Sequence, residues 1–150
     1  MLQFNGEKNV ALPADRLFDR FSDPAFLVES IPGVENVSDR QPTQVTFTLR
    51  PGFSFLRGTL TVTLRITDSL PGKTIHYHAH GKAIGSHNDV EATITFEPIG
   101  EQSTRLAWEA RITQLGGLLK AVPKGLIQAT ADKVINDIWN NIEARLSRET

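Results

Sequence analysis

Three histidines, His76, His78 and His80, alternate with Tyr77 and Ala79 in one short segment. On a β-strand, side chains two residues apart share a face, so the three imidazoles would stand in a row about 6.6 Å apart. Neighbouring imidazoles in such a row can bind one zinc or copper ion. No cysteine or carboxylate in this segment completes the ligand set, so we predict a solvent-facing polar surface and no metal site. A pH-sensitive partner surface is the alternative.

A serine, a histidine and a carboxylate follow one another in Ser86-His87-Asn88-Asp89. A catalytic triad needs side chains that converge from separate segments, whereas consecutive side chains diverge. We therefore interpret these four residues as a turn that opens a strand. The sequence shows no other acid–base or nucleophile arrangement, and we predict no catalytic residue and no cofactor.

Composition excludes several classes of protein. The 150 residues carry 16 basic and 17 acidic side chains, without the basic excess of proteins that bind nucleic acid by neutralising phosphates. The absence of cysteine excludes disulfides, thiolate zinc sites and iron–sulfur clusters. There is no secretory signal and no apolar run of about 18 residues. We expect a cytoplasmic protein with one domain over residues 1–150, no transmembrane segment and no nucleic-acid partner.

Alternation of apolar and threonine residues dominates the middle of the chain and predicts antiparallel strands with one dry face. The alternating segments are residues 45–49, 60–66, 90–96 and 106–112. Residues 2–12, 34–40 and 73–81 are further strand candidates. Prolines and glycines separate these segments, so we predict about seven strands in a meander.

Helical spacing appears in two places. Leu17 and Phe21 follow Pro13 at helical spacing, and Asp23-Pro24 opens a second short helix. From Gly116 to Arg148 the chain forms an apolar stripe, with a kink or restart near residues 119–123 because Pro123 has no N–H group. A dry sheet face and a long amphipathic helix must cover each other. The sequence therefore predicts an α+β helix-grip fold, with the sheet wrapped around the C-terminal helix.

The interior of this fold is the main candidate site, because such a grip can enclose a cavity instead of a filled core. If the strands keep phase, the apolar lining of the sheet comprises Phe47, Leu49, Leu60, Val62, Leu64, Tyr77, Ile94, Trp108 and Ile112. Leu119, Val122 and Leu126 would face them from the helix. The Tyr77 hydroxyl would point inward and orient a ligand; the alternative is a packed core in which a neighbour satisfies it.

A mouth or lid is predicted beside the Pro51-Gly52 turn, where Phe53, Phe55 and Leu56 are too many large apolar side chains to expose without purpose. These residues either cover the cavity, dock on a partner or membrane surface, or pack against the helix end. Lys120 and Lys124 flank Pro123, which we interpret as a gate. The two lysines either attract an anionic headgroup or acidic partner, or form an ordinary solvated face.

Several segments resemble the START-like, or SRPBCC, superfamily, close to polyketide cyclase/dehydrase-like proteins and the carbon monoxide dehydrogenase G-subunit family. They are Phe21-Ser-Asp-Pro24, Ile31-Pro-Gly-Val34, Phe55-Leu-Arg-Gly-Thr-Leu60, Gly81-Lys-Ala-Ile-Gly85 and Thr104-Arg-Leu106 with Trp108-Glu109. The resemblance covers essentially the whole chain. It implies non-enzymatic carriage of a small hydrophobic molecule that is lipid-, quinone- or polyketide-like. The alternatives are a cyclase, dehydratase or hydrolase in the same cavity, or a module that assists a molybdenum hydroxylase, a larger redox enzyme.

Overall fold

The computed structural model describes residues 2–50 and 58–149. The strands are β1 (Leu2–Val10), β2 (Val34–Gln41), β3 (Gln44–Leu49), β4 (Leu60–Leu70), β5 (Thr74–Ala83), β6 (Ser86–Gly100) and β7 (Ser103–Gly117). The helices are α1 (Ala14–Phe21), α2 (Pro24–Val28) and α3 (Lys124–Ser147), and a 3₁₀ turn (Leu118–Ala121) precedes α3.

The strands form one antiparallel sheet in the order β1-β7-β6-β5-β4-β3-β2. Strands β2 to β7 follow one another as a meander, and β1 pairs with the last strand. The helices α1 and α2 carry the chain from one edge of the sheet to the other. The predicted helix-grip architecture is confirmed.

Strand β3 shows why the alternating segments form this sheet. Val45, Phe47 and Leu49 are buried on the inner face. The threonines between them face outward, where the hydroxyl of Thr46 lies 3.1 Å from that of Thr63 on β4. Branched side chains fit this pleated, half-buried setting.

The short helices begin where the sequence predicts, after Pro13 and at Pro24. The carboxylate of Asp23 accepts a hydrogen bond from the backbone N–H of Ala25 at 3.0 Å, and Pro24 occupies the first turn of α2. Leu17 and Phe21 of α1 are fully buried. Their spacing therefore places one face of α1 in the core.

The C-terminal helix begins later than predicted. Residues 116 and 117 belong to β7, and Gly117 has φ +63°, which turns the chain into the 3₁₀ segment. The Leu118 N–H donates to the Gly85 carbonyl at 2.8 Å, so cross-strand pairing competes successfully with helix formation here. The restart predicted near residues 119–123 is confirmed, since α3 begins immediately after Pro123.

The interpretation of residues 86–89 as a turn is wrong. Ser86 is the first residue of β6, and the hairpin turn lies at residues 84–85, where Gly85 has φ +71°. The side chains of residues 86–89 alternate across the sheet, so Ser86 and Asn88 point inward while His87 and Asp89 point outward. Because Ser86 and His87 point to opposite faces of the sheet, they cannot act together in a catalytic triad.

Large aromatic side chains fill one half of the space between sheet and helices. Phe21 contacts Phe26, Phe96 and Trp139 with ring centroids 5.5, 5.8 and 6.0 Å away. Trp139 also lies 6.0 Å from Trp108. The other half, between the N-terminal part of α3 and the strand ends near residues 49, 60, 81 and 88, is not filled by side chains.

Among the described residues, no helix combines the length and the apolar composition that a membrane span requires.

Candidate ligand-binding cavity

A cavity of about 620 Å³ lies between the N-terminal half of α3 and the inner face of the sheet. Its sheet wall includes Phe4, Phe47, Leu49, Leu60, Val62, Ala79, Gly81, Asn88, Val90, Ala110, Ile112 and Leu115, and its helix wall includes Ile127, Thr130, Ala131, Val134, Ile135 and Ile138. Ile31, Pro32, Gly33, Arg50, Arg111, Leu119, Lys133 and Asp137 complete the lining. The volume lies in the range of small-molecule sites, and the lining is mostly apolar.

Small side chains create this space. Ala79, Gly81 and Ala110 occupy inward positions on two strands of the sheet, β5 and β7, and Ala131 faces them from α3. The corresponding positions at the other end of the sheet carry large residues such as Phe96 and Trp108. Large residues therefore pack one half solidly, while small residues leave the other half hollow.

The structure brings together part of the predicted lining. Phe47, Leu49, Leu60, Val62 and Ile112 line the cavity from the sheet, and Leu119 lines it near the start of α3.

The remaining predicted lining residues lie elsewhere. Leu64 and Ile94 are buried in the packed core, and Trp108 packs there against Gly6 and Trp139. Val122 is half-buried outside the lining, and Leu126 is 44% exposed. The inward orientation expected for Leu126 is wrong because α3 begins only at residue 124, which turns Ile127 inward instead.

Tyr77 does not present its hydroxyl to the cavity. The hydroxyl donates a hydrogen bond of 2.6 Å to the backbone carbonyl of Phe21. The side chain is buried, and burial raises the pKa of Tyr77 above its usual range. Tyr77 therefore ties β5 to α1, and the orienting role expected for it is wrong.

Two uncharged polar side chains, Asn88 and Thr130, face the cavity from opposite walls. Asn88 was expected in a turn, although its spacing from Val90 in the alternating segment signals an inward position. Leu115 was not expected in the lining, because a bulge near residue 113 shifts the phase of β7.

Each of the four charged residues in the described lining has an ionic partner. Lys133 lies 2.8 Å from Asp137, and Arg111 lies 2.8 Å from Glu91. Arg50 lies 3.6 Å from Glu35. All these side chains are substantially exposed, so their charges stay in water.

The histidine row lies on the outer face of the sheet, as predicted. His78 Nε2 and His80 Nδ1 lie 3.0 and 2.8 Å from the same oxygen of Asp89 on β6. Burial raises the pKa of Asp89, but hydrogen bonds and charge from His80 and His78 outweigh it, so its net pKa is below the usual value. This carboxylate was not foreseen as a partner because it lies on the neighbouring strand. The described residues contain no group of three or more side chains arranged to hold a metal ion.

The predicted mouth is described only in part. Phe53, Phe55 and Leu56 lie outside the described residues. Lys120 is in the 3₁₀ turn and Lys124 is the first residue of α3, so Pro123 separates the two lysines that were expected to share one helix.

The sequence profile of the CoxG family, the G subunit of carbon monoxide dehydrogenase, matches residues 6–147. The chain belongs to this family. No curated protein matches the sequence.

Solved structures support the START-like fold of this CoxG family member. A conserved protein from Geobacillus kaustophilus superposes with a TM-score of 0.84 at 19% identity, covering 98% of this chain and 96% of that chain. A START superfamily protein from Mycobacterium smegmatis gives a TM-score of 0.74 at 16% identity, covering 99% of both chains. DynU16, from the dynemicin biosynthetic locus, gives a TM-score of 0.59 at 14% identity, covering 97% of this chain and 47% of that chain.

Proposed function

We propose that this protein binds a small hydrophobic molecule between the sheet and α3. The cavity of about 620 Å³, with its mostly apolar lining, carries this proposal. Transfer of apolar ligand surface from water contributes about 25 cal/mol for each Å² buried. Small residues that face one another from the sheet and from α3 support a dedicated site, since chance packing defects are seldom so large.

The lining favours binding over catalysis. Among the described residues, Asp137 is the one carboxylate that lines the cavity, and its exposed side chain pairs with Lys133. No histidine from the described part of the chain lines the cavity. A cyclase or dehydratase would need a general acid or base that converges on the substrate. Carriage of the ligand is therefore the function that we propose.

Native mass spectrometry of freshly purified protein tests this proposal. We expect a bound species that organic extraction removes, and a single saturable site for the neutral fluorophore N-phenyl-1-naphthylamine. Protein that carries nothing in repeated preparations and gives no saturable fluorescence would contradict ligand binding. Chemical conversion of a bound polyketide-like molecule would instead support the catalytic alternative.

Family membership supports a larger redox enzyme as a partner. The name of the family associates its members with carbon monoxide dehydrogenase. Co-purification from cells that express both proteins tests this association. Recovery of the carrier alone under gentle conditions contradicts it.

One end of the molecule supports docking on an anionic membrane surface. Ile84 is 80% exposed at the β5–β6 turn, and Leu118 beside it is 63% exposed. Segments 81–88 and 114–131 contain Lys82, Lys120 and Lys124 but no acidic residue. The N-terminus of α3 adds its positive dipole end. Apolar tips surrounded by lysines suit an anionic lipid surface.

Vesicle sedimentation tests this docking surface. We expect the protein to sediment with phosphatidylglycerol vesicles more than with phosphatidylcholine vesicles, and Lys120→Glu with Lys124→Glu to abolish the difference. Ile84→Ser should weaken sedimentation, whereas Leu70→Ser at the opposite end of the sheet serves as the control, since Leu70 is 56% exposed. Equal sedimentation of wild type with both vesicles would contradict the proposal.

A further inference from the structure

The carboxamide of Asn88 lies in the sheet wall of the cavity without a hydrogen-bond partner among the described residues. The inward positions that follow it on β6 are apolar, Val90 and Ala92, whereas the buried Ser86 precedes it. A carboxamide has two donor hydrogens and one acceptor oxygen, and a ligand that fills the cavity would remove water from both groups. Such burial is costly unless the ligand itself supplies a partner.

Gly81 provides the space for this side chain. Asn88 pairs with Gly81 across β5 and β6. A Cβ atom at Gly81 would collide with Asn88 Oδ1, and it would also approach Leu60 Cδ1 at 3.4 Å. The carboxamide therefore lies over the bare backbone of Gly81, where any larger residue would displace it.

The other polar groups at the cavity define the charge of the ligand. Thr130 offers an uncharged hydroxyl from α3. The cationic residues of the lining, Arg50, Arg111 and Lys133, have exposed side chains that are paired with carboxylates. An ionised ligand group inside the cavity would therefore meet no free countercharge from the described residues.

We infer that Asn88 is the specificity-determining residue of the cavity and that it selects an apolar ligand with an uncharged carbonyl or hydroxyl group. This inference rests on the proposed function. The carboxamide donates to a ligand carbonyl or exchanges hydrogen bonds with a ligand hydroxyl, and the apolar walls bind the remainder. Thr130 contacts the same polar group or a second one on the helix side.

Displacement of bound N-phenyl-1-naphthylamine tests the inference with three competitors of equal chain length: 2-tridecanone, tridecane and tridecanoic acid. We expect wild type to prefer the ketone over the hydrocarbon by about fivefold. Asn88→Leu should reduce that ratio to near one while tridecane affinity stays the same. Asn5→Leu on the exposed outer face of β1 is the matched control and should keep the wild-type ratio.

One further variant and three distinct outcomes keep the result unambiguous. Asn88→Ser is a smaller change for the case in which the leucine variant does not fold, and it should also lower the ketone preference. A variant that binds the fluorophore normally and keeps the wild-type ratio would overturn the role of Asn88. Tighter binding of ionised tridecanoic acid than of the ketone would overturn the uncharged class. Failure of wild type to bind the fluorophore would instead contradict the proposed function.

Discussion

Tyr77, the expected polar contact for a ligand, has a structural role, whereas Asn88, expected in a turn, lines the cavity. The phenol is the obvious hydrogen-bond donor for a ligand, yet its hydroxyl lies 2.6 Å from the Phe21 carbonyl and is occupied by the fold. The carboxamide of Asn88 is the group that faces the cavity. Partner geometry, and not side-chain chemistry, decides which polar residue is available to a ligand.

Tyr77→Phe is expected to lower the free energy of unfolding by about 1–3 kcal/mol, because it leaves a buried carbonyl without its donor. Urea unfolding measures this loss. Affinity for N-phenyl-1-naphthylamine should stay within about twofold of wild type, since the hydroxyl does not line the cavity. Unchanged stability with a large loss of affinity would restore Tyr77 as a ligand contact.

The Asp89 carboxylate makes the free energy of unfolding decrease as the pH falls in the acid range. Its pKa in the folded state is below the ordinary value of 3.8, so the folded carboxyl binds protons less readily than the unfolded one. The resulting stabilisation is complete well above pH 3.8 and is lost as the pH falls through the folded-state pKa.

Asp89→Asn should therefore flatten the loss of stability below about pH 5, measured as the urea midpoint at successive pH values. Glu101→Gln removes one exposed carboxylate without a pairing role among the described residues and is the control. An equally steep acid limb in Asp89→Asn and wild type would contradict the stabilising role of the carboxylate.

Strands β3, β4 and β6 could be predicted because alternation of apolar residues with threonine marks both the extended segment and its inner face. Helices α1 and α2 were equally predictable from Leu17, Phe21 and Asp23. The boundary between β7 and α3 was not predictable, because residues 118–122, which are four apolar residues and Lys120, suit a strand end, a 3₁₀ turn or a helix. Pairing of residues 117 and 118 with the residues at 85 and 86 decides it.

Gly117 is the position on which this boundary depends. Its φ of +63° is unfavourable for other residues, and a Cβ atom would collide with the Gly85 carbonyl. Gly117→Ala should lower the unfolding free energy by about 2 kcal/mol or more. Gly125→Ala in α3, where nothing lies within 4 Å, should instead raise it by about 0.5 kcal/mol. Thermal unfolding of the two variants measures both effects. Equal changes in the unfolding midpoint of Gly117→Ala and Gly125→Ala would contradict a special backbone role for Gly117.

The location of the cavity was predictable from the sequence, but its existence and volume were not. Apolar strand faces and an amphipathic helix must meet, which gives the site between them. Whether they meet solidly depends on the volumes of side chains brought together by register, such as Ala79 on β5 and Ala110 on β7. The bulge in β7 also turns Leu115 inward, and the late start of α3 places Ile127 in the lining instead of Leu126.

A filled cavity should stabilise the whole fold, because a ligand that binds only the native state shifts the unfolding equilibrium. With the ligand at about 100 times its dissociation constant, the expected gain is about 2.7 kcal/mol. Thermal unfolding with saturating 2-tridecanone checks this as a rise in the midpoint. An unchanged midpoint at saturation would contradict binding to the native state.

The most direct measurement is a fluorophore titration of two variants of α3. Ala131→Phe places a ring in the cavity, whereas Ala129→Phe places the same ring on the exposed side of the helix. Ligand binding in the cavity predicts that wild type and Ala129→Phe bind one N-phenyl-1-naphthylamine per chain, and that Ala131→Phe binds at least about tenfold more weakly. Folded Ala131→Phe with wild-type affinity would contradict it.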